Sequence, residues 1–211
     1  ATICLIFWMA GRRIPLFAGH IKDGMLIGLL FGAEFGLLYM AIRYTTASSA
    51  WILLYTSPFF HALGAHFFLT GDRLSIAKAV GMMLSFSGIL VLLSMHLGLP
   101  SVEQFTGDVL ALTAAVSWAL YSNMTQRLAG GETTGGVNLF LPITGLVLLL
   151  LRFWWPEEGA WDYGAVGEAV FLGLVTWAAY RLWDVAMRRT KVTFVALCAY
   201  FTPLLSTMVT C

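Results

Sequence analysis

An acid in the middle of an apolar run is the residue best placed to do chemistry in this sequence. Glu34 lies in "GLLFGAEFGLLYM", from Gly28 to Met40, eleven residues beyond Asp23. At 1.5 Å per residue that is about 16 Å along a helix axis, near the centre of a bilayer if the run spans one. A charged acid at that depth costs on the order of 3 kcal/mol and by default marks a pathway or a pairing site. Glu34 could hold a substrate ammonium or exchange a proton. The plainer alternative is a protonated acid hydrogen-bonded inside a helical bundle.

Aromatic residues with polar edges form the second group. Trp51 and Tyr55 are four apart, and Trp118 and Tyr121 three apart, so each pair shares a helix face. Trp177, Tyr180 and Asp184 make a comparable stripe. Such stripes commonly face lipid or core. Here the tyrosine hydroxyls, with Ser117, Ser122 and Asn123 beside them, would also suit an amphipathic pocket for an aromatic guest. His61 is a further pathway candidate. His61 and His66 are five apart, a poor metal pair on one helix, and a structural histidine is the plainer reading. Arg181 and Asp184 are three apart and Arg188 follows four later, which reads as a local ion pair near the cytoplasmic side. The functional alternative is a cytoplasmic gate, or Arg181 meeting a substrate carboxylate.

Two prolines complete the inventory. "YTSPFF" starts at Tyr55 and "YFTPLL" at Tyr200, each inside an apolar run. Pro58 and Pro203 cannot donate to the carbonyls four residues back, and in lipid a freed carbonyl needs a partner or a wet cavity. Ser57 and Thr202 are expected to bond back to Leu53 and Cys198. Each proline then marks a packing kink, or a bend that lines a cavity and hinges a gate.

The elements that position these residues follow from composition. Of the 211 residues 59% are hydrophobic and 11% charged, against about 25% charged in globular domains. Mean hydropathy is +0.83. The surface therefore faces lipid, and the fold class is an all-α polytopic membrane protein. Twelve Lys and Arg against eleven Asp and Glu leave no nucleic-acid footprint. Cys4, Cys198 and Cys211 show neither a disulfide framework nor a zinc spacing. No H-E-x-x-H or DDxxD motif or Ser/His dyad suggests an enzyme, and no cofactor or metal site is expected.

Apolar runs predict spans near 24–42, 46–70, 75–96, 106–127, 137–154, 166–187 and 192–211. The ten apolar residues before Arg12 read as the end of a helix whose beginning is absent, and the run reaching Cys211 also reads as cut. With alternating connections, one side holds Arg12, Arg13, Lys22, Arg73, Lys78, Arg127, Arg188, Arg189 and Lys191; the other holds Arg43 and Arg152. The first side is cytoplasmic by the positive-inside rule. The outer "FWWPEEGAWDYG" (153–164) is acidic and rich in tryptophans that suit headgroups.

A shift of 145 residues aligns the segment around each proline without a gap. Gly28/Gly173, Leu37/Leu182, Arg43/Arg188, Tyr55/Tyr200 and Pro58/Pro203 are among the identities. The connection at Arg43 is outside and its counterpart at Arg188 inside, so the copies run in opposite directions. Inverted repeats belong to secondary transporters, with substrate held near the midplane. Five helices per repeat make ten in the whole, with about seven complete and one partial in this chain.

Four stretches now carry a family resemblance: "AIRYTTASSAWILLYTSPFFHAL", "GDRLSIAKAVGMMLSFSGILVLL", "GDVLALTAAVSWALYSNMTQRL" and "AAYRLWDVAMRRTKVTFVALCAYFTPLLSTM". They resemble the drug/metabolite transporter superfamily, EamA type, and the last is similar to its aromatic amino acid exporter subgroup. Asp184 stands where that subgroup is expected to have a neutral polar residue. The resemblance implies ten helices with both termini cytoplasmic, in a bacterial inner membrane. It also implies export of small metabolites, here aromatic or hydrophobic amino acids, by alternating access. The repeats are expected at 1–99 and 106–211. The expected partners are a small-molecule substrate and the lipid bilayer, with a monomer compatible with the reading. Another metabolite or a cationic drug is the alternative cargo, and a non-transporting scaffold the alternative class.

Overall fold

The computed structural model describes residues 21–70, 73–96, 101–128, 136–154 and 163–198. Among them are eight α-helices and no strand: α1 (Ile21–Tyr44), α2 (Ala47–Leu54), α3 (Ser57–Phe68), α4 (Ile76–His96), α5 (Val102–Leu128), α6 (Gly136–Trp154), α7 (Tyr163–Arg189) and α8 (Val192–Cys198). The predicted spans at 24–42, 75–96, 106–127, 137–154 and 166–187 coincide with α1, α4, α5, α6 and α7; the span at 192–211 is described only over α8, and the partial helix before Arg12 lies outside the described residues. The expected single helix at 46–70 is two, α2 and α3, broken at Tyr55 and Thr56.

Pro58 explains the break. It occupies the first turn of α3, where a missing N–H costs nothing because helix N-termini leave donors unpaired. Local bonds bridge the break: the Tyr55 N–H donates to the Trp51 carbonyl and the Thr56 N–H to the Leu53 carbonyl, both at 3.0 Å. The hydroxyl expected to repair the bend was that of Ser57. It is instead Thr56 Oγ1 that donates to the Leu53 carbonyl, at 2.7 Å. The break puts Thr56 in the turn between the helices, three residues beyond that carbonyl, whereas Ser57 already opens α3. The Ser57 carbonyl accepts from His61 Nδ1 at 2.6 Å.

α1 and α6 pack along a glycine seam. A Cβ on Gly28 would lie 2.8 Å from Ile143 Cβ, one on Gly32 3.1 Å from Val147 Cβ, and one on Gly36 2.6 Å from Leu151 Cδ1. The GxxxGxxxG of α1 thus receives every fourth residue of α6, so the backbones approach closely. Interhelical bonds to backbone reinforce the contact: Thr144 Oγ1 donates to the Gly28 carbonyl at 3.1 Å, and Ser117 Oγ on α5 to the Leu30 carbonyl at 2.8 Å. Gly173, the counterpart of Gly28 on α7, has nothing within 4 Å among the described residues.

The contacts also give helix directions. Thr45, at the end of α1, donates through Oγ1 to Asp108 Oδ1 near the start of α5 at 2.9 Å, while Ser117 further along α5 meets Leu30. α5 is therefore antiparallel to α1. On α7, Tyr180 meets Phe31 midway along α1, while the Thr190 carbonyl just beyond its end accepts from Gln126 near the end of α5. α7 runs with α5 and against α1. Adding 145 carries 21–44 to 166–189 and 47–54 to 192–199, that is, α1 onto α7 and α2 onto α8. Two inverted repeats are present in one all-α membrane bundle. α1 and α7 are each long and apolar enough to cross a bilayer by themselves.

Candidate functional site

Rings from five helices converge at mid-bundle. Phe31 of α1 lies 4.5 Å from Tyr180 (α7), 4.7 Å from Tyr121 (α5) and 5.2 Å from Phe140 (α6), centroid to centroid. Packed against this group, a second triangle joins α3, α5 and α7: Trp118–Trp183 at 5.7 Å, His61–Trp118 at 5.8 Å and His61–Trp183 at 6.5 Å. Most are edge-on or tilted, as ring quadrupoles prefer.

The spacing of each helix explains the convergence. Phe31 and Phe35 are one turn apart on α1, and Tyr180 and Trp183 three apart on α7, so each pair faces one way. Asn123 holds α3 against α5: its Nδ2 donates to the Ala119 carbonyl at 2.8 Å and to the His61 carbonyl at 3.3 Å. Gly64 leaves room for it, since a Cβ there would sit 2.6 Å from Nδ2.

What distinguishes this region from an apolar core is its unpaired polar atoms. Glu34 Oε2, His61 Nε2, Trp118 Nε1, Trp183 Nε1, Ser122 Oγ and Asn123 Oδ1 are buried with no hydrogen-bond partner among the described residues. Each such group costs on the order of 1–3 kcal/mol when left unmade, so a cluster of them asks for a guest. His61 is 1% exposed. Its Nδ1 must donate to the Ser57 carbonyl, which leaves neutral Nε2 as an acceptor. The two indoles offer N–H donors. Glu34 is 3% exposed on α1, one turn from the Leu30 level at which Ser117 and Trp118 meet α1, and within electrostatic reach of Tyr180. These groups set an acid, an imidazole acceptor and two indole donors among the rings.

Of the residues singled out in sequence, Glu34, His61, Trp118, Tyr121 and Tyr180 lie in or beside this cluster. Asp184 is fully buried next along α7, and Arg181 is half-buried with one guanidinium nitrogen unpaired among the described residues. Pro58 is buried at the break. Tyr55 packs against the separate cluster of Leu38, Ala50, Ala111 and Ala115. Trp51 is 48% exposed and joins neither group. Tyr200 and Pro203 lie outside the described residues. Phe31, Phe140 and Trp183 escaped sequence reasoning. The signal for Trp183 was its three-residue spacing from Tyr180; the stripe read through Trp177 and Asp184 passed it by.

Residues 1–94 and 105–210 each match the EamA-like transporter family. An uncharacterized transporter of Bacillus subtilis is 22% identical over 96% of this chain and 70% of its own length. The aromatic amino acid exporter YddG of Ancylobacter novellus is 30% identical over 86% of this chain and 63% of its own. A solved crystal structure superposes with a TM-score of 0.74 at 26% identity, covering 98% of this chain and 72% of the other.

Proposed function

The chain belongs to the EamA-like transporter family, and on that premise we propose that it exports aromatic or bulky hydrophobic amino acids across a bacterial inner membrane by alternating access. The observation that carries the reading is the ring cluster with its unpaired polar atoms. In it Glu34 holds the substrate ammonium, and the Trp118 and Trp183 indoles donate to the carboxylate. Phe31, Tyr121 and Tyr180 enclose the side chain. The similarity to a relative named as an aromatic amino acid exporter supports the substrate class. With repeats bounded at 1–99 and 106–211, the cluster draws Phe31 and His61 from one half and Trp118, Tyr121, Phe140 and Tyr180 from the other, as expected of a site between inverted repeats. Arg181 and Asp184 stand on the cytoplasmic side as a gate.

The test is a substrate panel in proteoliposomes, with and without a pH gradient. Aromatic amino acids should be transported and should compete with one another. Transport of an unrelated metabolite or a cationic drug alone would replace the substrate class.

Two variants probe the parts. Exchanging both Trp118 and Trp183 for phenylalanine removes two N–H donors while keeping rings. It should raise KM for the amino acid about tenfold, one to two hydrogen bonds' worth, and leave the matching amine unaffected. Equal losses for both compounds would mean the indoles only pack. Pro58→Ala lets α2 and α3 merge into one helix and should slow turnover about three- to tenfold with little change in binding, if the break hinges the gate. Unchanged flux would make the break a packing feature.

A further inference from the structure

At the end of the bundle read as outer, α1 and α6 line an open cavity of about 610 Å³, within the range of small-molecule pockets. Its walls include Tyr39, Arg43 and Tyr44 from α1 and Leu148, Leu151 and Arg152 from α6. The described lining carries two guanidinium groups and no carboxylate. Arg43 and Arg152 sit in the last turns of their helices, where a cation complements the helix dipole. That alone would explain either arginine. It does not explain why both line one cavity, nor how the cavity connects to the ring cluster.

The connection is a ladder of rings. Phe31, Phe35 and Tyr39 follow one another at four-residue spacing on one face of α1, with centroids 5.0 and 6.2 Å apart. The lowest rung belongs to the ring cluster, and Tyr39 belongs to the cavity wall. Arg43 is one further turn along the same face. From Glu34 to Arg43 is nine residues, about 13 Å of rise. A substrate moving outward from Glu34 therefore reaches the level of Arg43 after passing Phe35 and Tyr39.

We propose that this cavity is an outer substrate vestibule, in which Arg43 and Arg152 take the carboxylate of a departing aromatic amino acid while Tyr39 stacks against its ring. The proposal rests on the transport reading above. Planar guanidinium groups match a carboxylate by paired N–H donors, and two of them supply specificity that an apolar rim would lack.

Arginine-specific labelling tests it directly, because Arg43 and Arg152 are both exposed. The intact protein in lipid nanodiscs is treated with phenylglyoxal and the label read residue by residue by mass spectrometry. Phenylalanine at ten times its Kd should slow labelling of both arginines about tenfold, by simple occupancy. Phenylalanine methyl ester should not. In proteoliposomes, joint Arg43→Gln and Arg152→Gln exchange should raise KM for phenylalanine about tenfold and spare phenylethylamine, with lysine at both positions restoring part of the loss. Protection by ester and acid alike would overturn the proposal. So would protection that follows phosphatidylglycerol content instead of phenylalanine, the mark of a lipid headgroup site, or equal losses for both substrates. Phenylalanine flux through the unaltered protein reports separately on the transport reading, and flux without protection overturns the vestibule alone.

Discussion

Replacing Glu34 with glutamine is expected to cut export of an aromatic amino acid by about 10- to 100-fold, the loss of one charge-assisted hydrogen bond of 1.5–3 kcal/mol. The exchange is nearly isosteric. Glu34 Oε2 has no partner among the described residues to lose, so the variant should accumulate in the membrane and unfold at an unchanged or higher temperature. An ionisable group buried at the midplane is a cost that glutamine lowers. The decisive comparison is with a substrate lacking the amino group, such as a 3-aryl propionate. If Glu34 holds the ammonium, any transport of that compound is insensitive to the exchange. Normal export of phenylalanine by the Glu34→Gln protein in proteoliposomes would remove Glu34 from the site, and a large drop in thermal stability would make its role structural.

The second large effect concerns the glycine seam. Gly28→Leu places a Cβ 2.8 Å from Ile143 Cβ and 3.1 Å from the Phe140 carbonyl oxygen. Real Cβ atoms do not approach so closely, so α1 and α6 must separate. Overpacking of this kind costs about 1–3 kcal/mol and occasionally more. The cost extends further here, because Thr144 Oγ1 would lose its 3.1 Å bond to the Gly28 carbonyl. A marked fall in the unfolding temperature of the purified protein is expected, read by size-exclusion chromatography after heating. Gly173→Leu is the internal control. Its Cβ meets nothing within 4 Å among the described residues, and a change within about 0.5 kcal/mol is expected there. Equal destabilisation at both positions would mean that the seam is not what sets Gly28 apart.

The contrast between Gly28 and Gly173 shows how far the repeat reaches. The two copies align at one constant offset, yet the first carries three glycines against α6 and the second keeps only Gly173, with Trp177 and Arg181 at the other two positions. The first copy thereby closes one wall tightly. In the second, Trp177 packs toward the ring cluster and Arg181 is half-buried. The site is asymmetric although the scaffold is not, and Glu34, opposite Ala179 in the alignment, is the sharpest instance.

The sequence by itself determined the quantities that run along the chain. Apolar length located the helices to within a few residues. Charge bias on alternate connections, with the 145-residue offset, made the repeat inverted before any contact was known, and counting from Asp23 put Glu34 at mid-depth. These readings hold because length, charge and order are one-dimensional. Only the tertiary structure decided which face of each helix looks inward. In a soluble helix an apolar stripe reports that face. In a helix that is apolar all round, lipid and protein interior attract the same residues, so Trp51 and Trp118 read alike in sequence. The fold then exposes Trp51 and buries Trp118 against His61 and Trp183. The hydroxyl at the break by Pro58 was misassigned to Ser57 for a related reason: Thr56 and Ser57 are neighbours in sequence, and only the place where the helix parts leaves Thr56 to reach Leu53.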